Sequence, residues 1–241
     1  MLTPDSVRII SDGSELRRNL IDWGLFHVEP EYQSVHVNYR RVLQQRNAAL
    51  REHESGTLDA WTSELADLGN RLGGLRVGHI NQMIPIWNHY VQKFLGIRAE
   101  IKFERGWPDG RTLEETLAAD ASKDRSQGFT RSGPHRADLK LRVDNDLARY
   151  ALSRGEAKLF VCAFTLAQAA YINSRPQTPK PLVLLDDLPS EFDDRSLSRV
   201  MSELDALEIQ AFLTTNSSGR LAPWETDTTK VFHVERGAIN K

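Results

Sequence analysis

The first long pattern along the chain is helical. From Glu29 to about Glu54, apolar residues recur every three or four positions, which predicts one helix. The apolar positions are Tyr32, Val35, Tyr39, Val42 or Leu43, and Leu50. Arginines lie between them, at Arg40, Arg41, Arg46 and Arg51. We expect these arginines to form a solvated face; contact with nucleic acid is the alternative.

A second helical pattern follows and continues to Phe94. Gly56-Thr57 separates it from the first pattern, and we expect Gly73-Gly74 and Pro85 to bend or break it. Two long helices joined by a short link predict an antiparallel hairpin. Packing of one helix on the other is the expected role of the apolar stripe.

Beyond Gly96, strand and helix patterns alternate, which predicts an α/β layer with helices outside. The predicted strands are residues 99–107, 137–145, 181–187, 209–216 and 230–239. The predicted helices are residues 110–127, 156–173 and 194–207. Thr112 with Glu115 predicts a capping box. The runs "PLVLLDD" and "IQAFLTTN" are typical of strands buried in a parallel sheet.

Composition narrows the class of protein. The chain has 241 residues, 40% hydrophobic, and a net charge of −2, which argues against a mainly electrostatic nucleic-acid binder. Its single cysteine, Cys162, excludes a disulfide within the chain and indicates a reducing compartment. Without a long apolar run or a signal-peptide pattern, we expect a cytoplasmic protein with no membrane contact.

The first chemical candidate is the end of the run "PLVLLDD". Ligands bind at the carboxyl ends of strands in open α/β sheets, and Asp186 and Asp187 lie at that end. One carboxylate can hold Mg²⁺, and its neighbour can orient or deprotonate a water. A strand that ends in a polar turn, or in a cap for the next helix, explains the same pattern.

The second candidate is "LSRGEAK", at the start of the buried helix. A helix start presents free N–H groups and a positive dipole end, and Ser153 adds a donor while Gly155 allows close approach. From these residues alone, a plain capping box between Ser153 and Glu156 is favoured. A phosphate site at the helix start is the alternative.

The third candidate is "GFTRSGPHRADLKL". His135, Arg136 and Asp138 follow the turn at Gly133-Pro134. From these residues alone, a cluster of salt bridges at the surface is favoured over a catalytic site. Cys162 is expected to serve in packing.

These motifs together resemble a family. The order of a Ser-x-Gly-Glu helix start, an apolar strand ending Asp-Asp, "PSEFD" and a strand ending Thr-Thr is similar to an ABC-type ATPase head. "GFTRSGPHRADL", "LSRGEAK", "VLLDDLPSEFD" and "SDGSELRRNLIDWGLFHVEPEY" resemble the RecF family of bacterial DNA replication and repair proteins, built like SMC or Rad50 heads. The resemblance covers nearly the whole chain.

The resemblance implies a fold, the rear part of an ABC-type α/β head with a helical-hairpin arm. Residues 1–28 would be a remnant of the head leading to the arm, 29–96 the arm, and 97–241 the rear of the head. It also implies ATP and Mg²⁺ as cofactors. The partners implied are DNA, as gapped DNA and single-/double-strand junctions, RecR and RecO, and a second copy in an ATP-dependent homodimer. The SOS response is the implied setting.

The resemblance also assigns roles to residues. Asp186 would be the Walker B aspartate on Mg²⁺, Asp187 the catalytic residue, and Thr214 or Thr215 the switch residue near the γ-phosphate. The signature motif, which contacts ATP held by the opposite head, would be Ser153, Arg154, Gly155 and Glu156, with Lys158 behind it. The D-loop at the dimer interface would comprise Ser190, Glu191 and Asp193.

One family motif is missing from the sequence. No P-loop string, G-x-x-x-x-G-K-S/T, occurs in it, so its own phosphate cradle is not provided. Three hypotheses follow: an N-terminally truncated RecF-type repair ATPase, a non-catalytic module that supplies its signature motif in trans, or a small α/β protein without nucleotide. A weak DNA-dependent ATPase is the activity that the family implies, and the chain alone is expected to be inactive.

Overall fold

The computed structural model describes residues 1–52, 55–236 and 238–240. The helices are α1 Arg8–Ser11, α2 Ser14–Val28, α3 Tyr32–Glu52, α4 Ser55–Leu95, α5 Leu113–Gln127, α6 Ala148–Ala151, α7 Arg154–Asn173, α8 Leu188–Glu191 and α9 Asp194–Ala206. The strands are β1 Ala99–Glu104, β2 Asp138–Val143, β3 Asp146–Leu147, β4 Leu182–Leu185, β5 Gln210–Leu213, β6 His233–Glu235 and β7 Ala238–Asn240. Single helical turns lie at Pro4–Val7, Pro134–Arg136, Ser218–Arg220 and Ala222–Trp224.

Helices α3 and α4 form the predicted antiparallel hairpin. The Arg46 Nε donates to Thr62 Oγ1 at 3.0 Å, and Arg41 and Arg71 reach Glu64 and Glu31 across the same interface. The expected end of the first helix at Glu54 lies outside the described residues. Gly56-Thr57 does not separate the helices, because α4 already begins at Ser55.

The expected break in α4 is wrong. The helix runs without interruption from Ser55 to Leu95 with Pro85 inside it. Packing outweighs the local cost of Pro85, because neighbouring residues such as Met83 and Trp87 are completely buried. Gly73 lies under Trp107, whose ring would be 2.9 Å from an added Cβ. The glycine therefore permits close packing there and does not end the helix.

The expected solvated face of α3 is wrong at one position. Arg40, Arg41 and Arg51 are exposed, but Arg46 is buried. Its guanidinium donates to Asp124 at 2.8 Å and to Thr130 at 2.6 Å. A buried arginine needs such partners, and here they join α3 to α5 and to the loop that follows α5.

The central element of the fold is α7, which the sequence correctly predicts as buried. It packs along α4 on one side and against α2 and α9 on others, so residues from the hairpin and from the rear half share one hydrophobic core. Cys162 is fully buried in it, and burial raises the pKa of its thiol to about 12. This agrees with a packing role. The division at residues 28 and 96 stays a prediction.

Strands β1, β2 and β3 form one antiparallel sheet, in which Leu139, Leu141 and Val143 are buried on one face as predicted. Helix α5 begins with the predicted capping box, since Glu115 N donates to Thr112 Oγ1 at 3.2 Å and Thr112 N donates to Glu115 Oε2 at 2.9 Å. Local signals were sufficient for both elements.

Strands β4 and β5 are parallel, as predicted, but they are not buried on both faces. Val183 and Leu185 point into the core, whereas Leu182 is 47% exposed and Phe212 of β5 is 52% exposed. Next to β4, on the side away from β5, lies the backbone of Leu2, which bonds to Leu184 and Asp186. The sheet therefore has one covered and one open face.

The last predicted strand is also wrong. Residues 233–235 and 238–240 form two paired antiparallel strands, β6 and β7, in which Val234 pairs with Ile239. Both side chains are 72% exposed. Gly237, which the predicted strand included, lies outside the described residues.

Candidate functional site

The two predicted acidic residues directly follow β4, which ends at Leu185. Asp187 has φ 51 and ψ 32, a left-handed conformation that aspartate tolerates better than most residues. The chain therefore turns at Asp187 and does not continue as an extended strand. Asp187 then serves as the residue from which α8 starts.

A threonine from the neighbouring strand joins the two acids. Thr214 follows β5, and its hydroxyl donates to Asp186 Oδ1 at 2.5 Å and accepts from the Asp187 N–H at 2.9 Å. Its own N–H donates to Leu185 O at 3.0 Å. Of the two threonines considered from the sequence, Thr214 is thus the one at the acids. The Thr215 hydroxyl accepts from the N–H of Ser217 instead.

Two further side chains complete this group. Ser190, in the predicted D-loop, donates from its hydroxyl to Asp187 Oδ1 at 2.8 Å and lies 3.4 Å from Asn216 Oδ1. We call Asp186, Asp187, Ser190 and Thr214 the acidic edge. Asn216 was missed by sequence reasoning, since a single asparagine after a strand carries no periodic signal.

The predicted signature residues form the exposed start of α7, and they also form the capping box that the local residues favoured. Ser153 Oγ donates to Glu156 Oε2 at 2.6 Å, and the backbone N–H of each residue bonds to the other side chain. The Ser153 hydroxyl and N–H together lower the pKa of the Glu156 carboxyl. Ser153, Arg154 and Gly155 are all exposed, and a Cβ added at Gly155 would meet no atom within 4 Å beyond its chain neighbours and its own helix backbone.

Lys158 connects the signature segment to the predicted D-loop. Its ammonium forms an ion pair with the carboxylate of Glu191, the last residue of α8. Both side chains line a shallow depression with Asp186 and the first residues of the chain. The structure therefore brings the start of α7 and the acidic edge together on one side of the molecule.

Asp193 does not take part in this group. It caps α9, accepting from Ser196 N at 2.9 Å and from Ser196 Oγ at 3.0 Å. These bonds, the backbone one foremost, lower the pKa of its carboxyl. Arg220, which no sequence pattern singled out, holds the same segment, because it bonds to the carbonyls of Pro189 and Phe192 and to Asp194.

The three ionisable residues after Gly133 do not form the expected cluster of surface salt bridges with one another. Asp138 pairs with Arg17 at 2.7 Å and with Lys140 at 3.1 Å; burial opposes ionisation, but the bonds from Arg17 and Lys140 prevail and lower the pKa of its carboxyl. The Arg136 guanidinium lies over the ring of Phe129. Each residue points to a different neighbour.

His135 is partly buried between two partners. The Tyr39 hydroxyl lies 2.6 Å from its Nδ1, and its Nε2 lies 3.0 Å from the carbonyl of Thr130. Burial lowers the pKa of His135 to about 4, so the ring is neutral near pH 7. Arg76 of α4 also donates to Pro134 O. These contacts attach the 133–138 segment, which leads into β2, to both helices of the hairpin.

The acidic edge offers few oxygen ligands for a metal ion. Among residues 1–52, 55–236 and 238–240, no cluster of three or more histidine, cysteine or acidic side chains is arranged to hold a metal ion. One oxygen of Asp186 is engaged by Thr214, and no described residue donates to the other. A single free carboxylate oxygen fits a Mg²⁺ that is held mostly by phosphate and water.

Among the described helices, none is both long and apolar enough to cross a bilayer.

Comparison with known proteins gives a family. The DNA replication and repair protein RecF of Pseudomonas fluorescens is 35% identical over 249 aligned positions, which cover 100% of this chain and 67% of that protein. The chain belongs to the RecF family. RecF of Hydrogenovibrio crunogenus is 32% identical over 244 positions, covering 99% of this chain and 67% of its own length. No protein-family model matches the chain.

Solved structures show the same fold. A RecF described as a recombination mediator protein of the RecFOR pathway, in a structure with ATP, superposes with a TM-score of 0.82 at 20% identity, covering 99% of this chain and 66% of that one. The Smc head domain of Pyrococcus furiosus, bound to the C-terminal domain of ScpA, gives 0.50 at 15% identity, covering 90% of this chain and 55% of its own. The predicted fold, the rear part of an ABC-type head, is confirmed. The chain spans about two thirds of the length of its RecF relatives.

Proposed function

We propose that this RecF-family chain acts in DNA replication and repair by supplying the signature segment to ATP held by an opposing head. The observation that carries the proposal is the exposed start of α7 beside the acidic edge, joined by the ion pair between Lys158 and Glu191. Family membership at 35% identity supports it. The third hypothesis, a small α/β protein that shares only a fold with this family, is wrong on the same finding.

The start of α7 suits a phosphate for physical reasons. The first N–H groups of a 20-residue helix carry partial positive charge, and the exposed Arg154 adds a full one. Glu156 opposes an anion as long as it holds Ser153 in the capping box. Binding therefore requires the Ser153 hydroxyl to turn from Glu156 toward the phosphate, while the backbone N–H groups already point outward.

The acidic edge is proposed as the hydrolytic half of the site. Asp186 would hold Mg²⁺ through its free oxygen, and Asp187 would orient the attacking water. ATP would supply the phosphoryl group that is transferred. Thr214 would take the switch position, because its single hydroxyl contacts both acids and would respond to a change at either one. Glu191 and Asp193 are proposed to shape the D-loop, through Lys158 and through the cap of α9.

The wider roles are proposed from the family. They are ATP-dependent DNA binding at gaps and single-/double-strand junctions, recombinational gap repair with RecO and RecR, the SOS response, an ATP-dependent homodimer and a cytoplasmic location. The RecF of similar structure, described as a mediator in the RecFOR pathway, supports the proposed partners. In this proposal, residues 29–96 serve as an arm and residues 97–241 as the rear of the head, preceded by a head remnant at 1–28.

A non-catalytic role in trans is the second candidate. The sequence contains no G-x-x-x-x-G-K-S/T string, so the lysine and amide cradle for the β- and γ-phosphates would have to come from elsewhere. In this version the chain promotes hydrolysis at a complete head without turning over ATP. The two versions differ in whether the acidic edge of this chain takes part in hydrolysis. In both, we expect that the unaltered chain alone does not hydrolyse Mg-ATP.

The test mixes this chain with RecF of Pseudomonas fluorescens and measures Mg-ATP-dependent complex formation by light scattering. Ser153→Asp keeps a capping oxygen but places a carboxylate beside the phosphate, so we expect it to abolish the complex. Ser153→Thr keeps both the cap and the hydroxyl and should preserve it. A complex that forms equally with Ser153→Asp, or forms without ATP, would contradict the proposal.

A further inference from the structure

The most exposed large aromatic or aliphatic side chain among the described residues belongs to Tyr150. Its side chain is 75% exposed, and the guanidinium carbon of Arg149 lies 4.6 Å from its ring centroid. The arginine thus covers one part of the ring while the rest faces solvent. No described residue forms a hydrogen bond with the hydroxyl. The ring therefore contributes little to the core, and its open face is available to a planar ligand.

The fold around Tyr150 is held by its neighbours. Ala148 is 1% exposed and anchors α6, and the Leu152 N–H donates to Ala148 O at 3.1 Å. Helix α6 is therefore fixed without the tyrosine ring. The backbone at Tyr150 is thus held by its neighbours, and the side chain is free to contact a ligand.

Tyr150 lies close to the signature segment. It precedes Ser153 by three residues, a span of at most about 10 Å. Residues 149–151 and 153–156 are all exposed, so the ring and the start of α7 are both open to solvent. This is the scale on which a nucleoside triphosphate separates its base from its terminal phosphate.

A tyrosine ring backed by a guanidinium is chemically suited to a flat heterocycle. Nucleobases stack on exposed aromatic rings, and an adjacent arginine adds a cation–π contribution. Every base offers such a face, so this contact recognises a base without selecting among bases. Phosphate recognition by the helix start and base recognition by the ring would then act on the two ends of one molecule.

We propose that Tyr150, with Arg149 beside it, stacks on the base of the ATP whose phosphates meet the signature segment. This inference rests on the function proposed above and adds to it a contact with the base from the opposing chain. Tyr150 then makes complex formation depend on a nucleotide and not on phosphate alone.

The experiment uses the mixture of this chain with Pseudomonas fluorescens RecF and titrates Mg-ATP and, separately, Mg-tripolyphosphate, which lacks a base. Tyr150→Leu keeps an apolar side chain without a ring, and we expect it to raise the half-saturating ATP concentration by about tenfold. Tyr150→Phe should leave that concentration unchanged. Phe129→Ala removes another exposed ring that lies near an arginine and serves as the matched control.

The outcomes separate this inference from the function on which it rests. If the unaltered chain forms no ATP-dependent complex, the proposed function fails. If the complex forms but Tyr150→Leu and Tyr150→Phe behave alike, the stacking proposal is overturned and the function stands. An equal loss with ATP and tripolyphosphate would likewise overturn it, since it would indicate a structural role. If tripolyphosphate supports no complex, the test rests on the half-saturating ATP concentration alone. A higher value for Tyr150→Leu than for Tyr150→Phe then supports stacking, and equal values overturn it. Weaker binding of a single-stranded oligonucleotide with an unchanged ATP midpoint would also overturn it, because the ring would then serve DNA.

Discussion

Lys158 and Glu191 form an ion pair that joins the first turns of α7 to the end of α8. Their side chains are 30% and 19% exposed, so the pair is partly screened from water. One partner belongs to the predicted signature segment and the other to the predicted D-loop. The contact couples two motifs that lie more than thirty residues apart in the chain.

The first prediction concerns the strength of this pair. In a double-mutant cycle with Lys158→Met and Glu191→Gln, we expect a coupling free energy of about 1 kcal/mol, because partial burial reduces solvent screening. Urea unfolding measures it. The control cycle at Arg41 and Glu64, whose side chains are 54% and 44% exposed, should give a coupling near zero. Equal coupling in the two cycles would contradict the argument.

The second prediction concerns Thr214. Thr214→Val removes the donor to Asp186 and the acceptor for the Asp187 N–H, so we expect a loss of about 1–3 kcal/mol in the free energy of unfolding. Thr214→Ser keeps the hydroxyl and should lose much less. Thr215→Val is a neighbouring control that leaves both acids untouched. If both valine variants lose the same free energy, the hydroxyl of Thr214 does not join the acids.

The third prediction tests the uninterrupted helix α4. Gly74 lies inside the helix with no atom within 4 Å of an added Cβ, so Gly74→Ala should stabilise the protein by about 0.5–1 kcal/mol. At Gly73 the ring of Trp107 would be 2.9 Å from that Cβ, and Gly73→Ala should destabilise it. Thermal unfolding measures both changes. Destabilisation by both substitutions would indicate that the helix is broken at this pair.

The fourth prediction concerns pH. The pKa of His135 is about 4 in the folded protein because the ring is buried, below the ordinary value of about 6.5 for an unfolded chain. Between these values the unfolded chain binds more protons, so stability is fully present above pH 6.5 and is lost as pH falls toward 4. The slope for this residue reaches about 1.4 kcal/mol per pH unit.

Chemical denaturation between pH 7 and 5 measures this slope. His135→Gln should flatten the dependence, because glutamine carries no proton in this range. His79 adds a similar slope, since burial also lowers its pKa to about 4. His233→Gln, at an exposed position of β6, should leave the slope unchanged. A slope that survives His135→Gln in full would place the titration elsewhere.

Local signals in the sequence predicted much of the fold. The apolar periodicity located α3, α4, α7 and α9, and the Thr112–Glu115 pair located the start of α5. The Asp-Asp pair and the Ser-x-Gly-Glu start were also found from the residues alone. These features are set by neighbours in the chain, which a sequence displays directly.

Features set by distant contacts were not predictable. Arg46 reads as a surface arginine until Asp124, far along the chain, is placed against it. Pro85 reads as a break because the packing that keeps α4 continuous comes from other elements. The open face of β4 and β5 was hidden in the same way, since an apolar run does not say which of its faces is covered. Asn216 and Arg220 act through loops, where no periodicity exists.

The length of α4 has a mechanical consequence. As a single helix of 41 residues it extends about 60 Å, from the far end of the hairpin to the region where it packs on α7 and α9. Helix α4 contacts α7 through residues such as His79 and Trp87 and carries the tip of the hairpin at its other end. Under the proposed function, a small rotation of α4 on α7 would give a larger displacement at that tip, because displacement grows with distance from the pivot.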